Sequence, residues 1–244
     1  MKPIGIVSAL TAEARTLGPA APHSAGLRRL PEGALLAVSG IGAAAAAAAA
    51  RRLVLAGAGG LVSFGMAGGL DPTLCCGTVL LPETVAAMDG SGAAATAHAW
   101  RERLRVAMPP GCVIRGGTLL TSERPVGRAA KADAYRSSRA CAVDMESAAL
   151  AQVAGQAGLP FIVLRVVVDT AGDELPGAVI AASPGGELRT ARLILGLLRA
   201  PGELGPLLRL AMRYRIAGKA LSAVARAGSP ARRALVGGPD VEPS

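Results

Sequence analysis

Residues 34–57, ALLAVSGIGAAAAAAAARRLVLAG, decide the fold class. A short apolar run over 34–39 ends in Ser39-Gly40-Ile41-Gly42 and passes directly into a stretch over 43–57 that opens with eight alanines, the best helix formers. A strand, a glycine turn and a helix in immediate succession form the repeating unit of an α/β protein. Similar units extend in both directions. Apolar, β-rich runs at 3–9, 61–64, 78–81, 113–121, 141–143 and 161–168 read as strands, and 146–156, 188–199 and a segment around Trp100 to Ala107 read as helices. The signal is weak between 83 and 112. The expectation is a three-layer α/β/α domain over 1–200, with helices flanking a central mixed twisted sheet. After Pro201 the pattern changes. Gly202, Gly205 and Pro206 precede a basic, apolar-rich stretch from Leu207 to Ala227, where Leu207, Leu210, Tyr214, Ala217, Leu221 and Val224 share one helical face and Arg215, Lys219 and Arg226 the other. This predicts a C-terminal amphipathic helix within a separate unit over 201–244, and a flexible tail over 228–244.

Composition narrows the function classes. The chain has 244 residues, 51% of them hydrophobic and 18% charged, so it can bury a sizeable core and is not disordered. No apolar run approaches the roughly 18 residues of a membrane-spanning helix. The start, MKPIGIVSAL, enters a strand-like run at once without a secretory signal pattern, so a cytoplasmic location is expected. Cys75, Cys76, Cys112 and Cys141 lack zinc or disulfide-framework spacing, and His23 and His98 sit in Gly/Ala/Pro-rich stretches; no metal site is expected. The net charge is +9, with 23 arginines among 26 basic residues and no asparagine, which reflects coding bias as much as an anionic partner. A nucleic-acid partner is not expected, because the basic tail offers only Tyr214 to stack on bases.

Several motifs sit where strands end. Ser39-Gly40-Ile41-Gly42-Ala43-Ala44-Ala45 fits G-x-G-x-x-A, which either cradles an anion on backbone N–H groups or makes a tight turn. A dinucleotide fold would add an acid about 20 residues on, and none lies between Glu32 and Asp71. Phe64-Gly65-Met66-Ala67-Gly68-Gly69 is a second glycine loop after a strand. Val143-Asp144-Met145-Glu146-Ser147 places acids between an apolar strand and a nearly uncharged helix, and Asp169 ends the strand that includes RVVVD. Glu13 follows the first strand. Buried carboxylates are costly unless they bind something; helix-start and turn-capping roles are the structural alternatives.

In this order and spacing over residues 3–172, IGIVSALTAEA, SGIGAAAAA, GMAGGLDPTL with CGTVLLP, VDMESAALAQVA and RVVVDTAG resemble the nucleoside phosphorylase and nucleosidase superfamily. The resemblance is greatest to the 5′-methylthioadenosine/S-adenosylhomocysteine nucleosidase branch. It implies cleavage of an N-glycosidic bond by an enzyme working as a homodimer or larger assembly, without a cofactor. Adenine is a poor leaving group, so an acid must protonate its N7, and the resemblance gives this role to Asp169. Glu146 would accept hydrogen bonds from the ribose 2′- and 3′-hydroxyls and stabilise an oxocarbenium-like sugar, with Met145 beside it. Met66, Ala67, Gly68 and Val168 complete the substrate-binding set. Glu13 would orient an attacking water. A phosphate nucleophile instead needs Arg15 or a backbone nest such as Ser39, Gly40 and Gly42, so inorganic phosphate stays open as co-substrate.

Two positions depart from the branch. Met66 and Val168 stand where the nucleosidases usually carry serine, and both make the pocket more apolar. With the tail and the segment RGGTLLTSERPV, they resemble the hopanoid-associated phosphorylases, which implies adenosylhopane as substrate and ribosylhopane as product. In that setting the C-terminal helix, with Arg213, Arg215 and Lys219, would touch an anionic membrane or a partner subunit.

Overall fold

The computed structural model describes residues 2–174 and 204–238. Its strands are β1 (Ile4–Ser8), β2 (Ala21–Pro22), β3 (Arg28–Arg29), β4 (Leu35–Val38), β5 (Gly60–Gly69), β6 (Val79–Leu80), β7 (Thr84–Ala87), β8 (Ala93–Ala95), β9 (Ile114–Arg115), β10 (Thr118–Thr121), β11 (Ala142–Asp144) and β12 (Phe161–Asp169). The helices are α1 (Thr11–Ala14), α2 (Ala43–Leu55), α3 (His98–Val106), α4 (Arg128–Ser138), α5 (Ser147–Gln156), α6 (Leu204–Val224) and α7 (Pro230–Gly237).

All the strands join one mixed sheet, ordered β2-β3-β4-β1-β5-β11-β10-β7-β8, which branches at β5 because β12 pairs there too and carries β6 and β9. The β1–β4, β1–β5 and β5–β12 ladders are parallel, and β11 meets the far end of β5 antiparallel. Successive residues of a strand point to opposite faces. Thus Leu35, Leu61, Phe161 and Val163 pack with α2 and α5 on one side, while Leu36, Val62, Ile162 and Leu164 pack with Trp100, Leu221 and Leu235 on the other. Both faces are covered, which explains why the central strands read as unbroken apolar runs.

The long strands, α2 and α5 lie where the sequence places them. The hairpin β2–β3 and the strands β7 and β8 were not foreseen, nor was α4. The stretch 113–121 is two strands, because the chain turns at Gly116-Gly117 with Gly117 at φ +102°. The helix expected at 188–199 lies outside the described residues. The segment 230–237, expected to be flexible, is helix α7. Ser229 Oγ accepts the Arg232 N–H at 3.0 Å, and Pro230 stands in the first turn, where its missing N–H costs nothing. The Arg232 guanidinium then bonds to the Leu17 and Ala225 carbonyls and to Glu32, and the Trp100 indole N–H bonds to the Ala234 carbonyl. Among the described residues, no helix is long and apolar enough to cross a membrane.

Candidate active site

A pocket of about 210 Å³ opens at the carboxyl ends of β1, β5 and β12, where open α/β sheets bind ligands. It brings together Glu13, Met66, Ala67, Gly68, Met145, Glu146, Val168 and Asp169, which arrive from segments far apart in sequence.

Glu13 lies in α1, immediately after β1. One carboxylate oxygen accepts the Met66 N–H at 2.9 Å, and the other accepts the Leu10 N–H and the Ser8 hydroxyl, both at 3.1 Å. Gly65 is required beside it, since a Cβ there would stand 2.7 Å from Glu13 Oε1. Burial pushes the Glu13 carboxyl above its ordinary pKa, opposed by the Arg165 charge and by these donors.

Glu146 caps the start of α5. Its Oε1 accepts the Gly42 N–H at 3.0 Å and its Oε2 accepts from Arg165 at 3.2 Å. Burial again raises its pKa, with Arg165 opposing and Asp144 reinforcing. Arg165, on β12, is the common partner. It donates to Glu146, to Ser63 Oγ at 2.9 Å and to the Met66 carbonyl at 3.1 Å, and lies 2.9 Å from Asp144 Oδ2. Asp144 also accepts from Thr121, from the Ser147 hydroxyl and from the Ser147 N–H, so it braces the junction of β11 and α5.

Asp169 closes β12. Val167 pairs with Ala67 of β5 and Asp169 with Gly68, so Val168 is an extra residue, a β-bulge. A bulge breaks the alternation of faces; hence Val168 and Asp169 both line the pocket. Lys131 of α4, buried, donates to Asp169 Oδ2 and to the Thr170 carbonyl. Burial raises the Asp169 pKa and Lys131 pulls it back.

Ser39 and Gly40 do not line the pocket. Their N–H groups donate to the Ser8 and Ala9 carbonyls, and that of Gly42 donates to Glu146, so these three donors of the glycine loop are spent within the protein. Arg15 is exposed and outside the pocket. Arg213, expected to touch a membrane or a partner subunit, is paired with Asp173 at 2.6 Å. Among the described residues, no group of three His, Cys, Asp or Glu is placed to hold a metal. Sequence reading did not assign Arg165 or Lys131. Arg165 had a signal, as the only charge within the apolar run FIVLRVVV; Lys131 had none.

Residues 30–199 match the family described as the phosphorylase superfamily. The chain belongs to that family and is an enzyme of the nucleoside phosphorylase and nucleosidase class. Its fold is shared with the 5′-methylthioadenosine/S-adenosylhomocysteine nucleosidase of Neisseria meningitidis bound to methylthio-immucillin-A, with TM-score 0.65 and 22% identity over 87% of this chain and 99% of that one. An aspartate-to-asparagine mutant of the Helicobacter pylori nucleosidase, with 5′-methylthioadenosine in its active site, gives TM-score 0.67 and 18% identity over 91% and 96%. The futalosine hydrolase of Helicobacter pylori gives 0.63 and 19% over 86% and 97%. No curated protein matches the sequence.

Proposed function

We propose that the chain cleaves the N-glycosidic bond of a 5′-substituted adenosine with water, releasing adenine, and that its own reaction converts adenosylhopane to ribosylhopane. The observation that carries the bond cleavage is the convergence of Glu13, Glu146 and Asp169 on one pocket, with Arg165 bonded to Glu146 and to the carbonyl of Met66, whose N–H bonds Glu13. Asp169, whose pKa burial raises against the pull of Lys131, donates a proton to N7 as the C–N bond breaks. Each Glu146 oxygen, already fixed by one donor, keeps a lone pair for a ribose hydroxyl. The carboxylates around Arg165 outnumber it, which favours the positive charge that develops on the sugar.

Water is supported over phosphate by the donor inventory. Arg165 is enclosed by acids, Lys131 is paired with Asp169, three amides of the glycine loop are engaged and Arg15 lies outside the pocket, which leaves Arg124 of the lining as the cation without an acid partner among the described residues, whereas Glu13 is placed to take a proton from water. No step asks for a cofactor. The hopane arm is supported by Met66, Val168 and Tyr214 in the wall and by the resemblance of the sequence to the hopanoid-associated group. A cytoplasmic homo-oligomer acting peripherally at the membrane completes this reading. A 5′-methylthioadenosine/S-adenosylhomocysteine nucleosidase is the second reading, favoured by the shared fold.

Adenine release from methylthioadenosine and from an adenosine with a bulky apolar 5′ group, each with and without phosphate, tests the proposal. Faster release from the apolar substrate, with free sugar formed regardless of phosphate, is expected. Strict phosphate dependence overturns hydrolysis, preference for methylthioadenosine overturns the lipid substrate, and no release from either overturns the bond cleavage.

A further inference from the structure

The apolar face read from the sequence, left open there between a membrane and protein packing, is turned inward: Ala217, Leu221 and Val224 of α6 are buried in the core beneath β12. The outward side of the same helix carries a different pattern. Leu208, Met212 and Ile216 recur at every fourth residue, which aligns them in one stripe, and they are 65%, 65% and 48% exposed. Further along stand Arg215 and Lys219, with Arg226 just past the helix, all exposed and none with a carboxylate partner among the described residues.

The three cations also edge a groove of about 600 Å³ between α1 and α6, which no acid lines. Met66 and Tyr214 line both this groove and the nucleoside pocket, so the two share a wall. In that wall the Tyr214 hydroxyl is buried without a hydrogen-bond partner among the described residues.

One occupant answers the stripe and the cations together. A soluble anion would pair with the cations and leave the stripe in water; an apolar protein surface would cover the stripe and strand the cations. A bilayer rich in anionic phospholipid takes apolar side chains among its acyl chains and sets phosphates against adjacent Lys and Arg. We propose that the Leu208–Met212–Ile216 stripe with Arg215, Lys219 and Arg226 docks the enzyme on an anionic phospholipid membrane, placing the groove mouth against the lipid. Resting on the lipid-substrate reading, the groove then gives a membrane-borne 5′ arm a passage to the pocket beside Met66 and Tyr214.

The test is co-sedimentation of the full chain, without nucleoside, with vesicles of phosphatidylglycerol and phosphatidylcholine and with vesicles of phosphatidylcholine alone. Binding to the mixed vesicles, weakening with salt, is expected. The triple variant Arg215→Ala, Lys219→Ala, Arg226→Ala should lose binding on the order of a hundredfold, from about 1 kcal/mol per basic residue. Leu208→Ser with Met212→Ser should lose it with the charges intact. Both variants should release adenine from methylthioadenosine at the parent rate, which shows them folded. No binding of the parent chain, or undiminished binding by either variant, overturns the docking. A lipid-binding chain that cleaves no nucleoside overturns the proposed function alone.

Discussion

Two influences act on the Asp169 proton. Burial keeps it on the carboxyl at a pH where an exposed aspartate has lost it, and the Lys131 ammonium works to remove it. If the protonated carboxyl is the acid that meets N7, Asp169→Asn, which can donate a hydrogen bond but not transfer a proton, lowers kcat by about 10²–10⁴ with an unchanged melting temperature. Steady-state kinetics beside a thermal melt checks this. Lys131→Met removes the charge that draws the Asp169 pKa down, so the alkaline limb of kcat/KM moves to higher pH. A lysine that merely packs would lower the whole profile without moving that limb.

The bulge in β12 shows why the elements matter more than the acids alone. Without the extra residue at Val168, alternation would turn one of Val168 and Asp169 away from the pocket. Gly65 in β5 has the same importance for Glu13. A Cβ at Gly65 would stand 2.7 Å from Glu13 Oε1 and 2.9 Å from Arg165 Nη1. Gly65→Ala therefore displaces the Glu13 carboxylate or the guanidinium, with about 1–3 kcal/mol of stability lost and adenine release falling further than stability, as melts and kinetics on one preparation would show. These elements also mark the limit of legibility. Central strands and α2 were readable because apolar runs and alanines report burial and helix propensity directly, and the acids were readable because each ends a strand or opens a helix. Helix α4, RAAKADAYRSS, has too little apolar periodicity to announce itself, so Lys131 could not be placed. The two-residue strands are held by neighbours 6 to 87 residues away rather than by their own composition. The C-terminal apolar face was legible as a pattern; what it packs on was not, since a pattern does not distinguish lipid from β12.

At the scale of the molecule, a chain of net charge +9 encloses a site in which four acids meet three cations. Around Arg165 stand Glu13, Asp144 and Glu146, all buried. Such a cluster favours a cationic sugar and costs stability while the sugar is absent, which is the opposition of function and stability seen where active sites hold like charges. The pH dependence carries a defined sign. Because burial raises the Glu13 pKa, the native protein holds this proton more tightly than the unfolded chain does. Its contribution to stability is therefore full below the unfolded pKa, near 4.5, and lost as pH rises through the native value. In Glu13→Gln that loss is abolished. The amide brings a separate cost that does not vary with pH, because its NH₂ must face the N–H and O–H donors of Leu10, Met66 and Ser8. The diagnostic quantity is thus the trend of the difference in melting temperature. From pH 5 to pH 8 the variant should gain on the parent, by about 3–5 °C for each pH unit by which the native pKa is raised. A difference that stays flat, or moves in favour of the parent as pH rises, would show that Arg165 and the three donors already compensate the buried charge, and that the site is not strained by it.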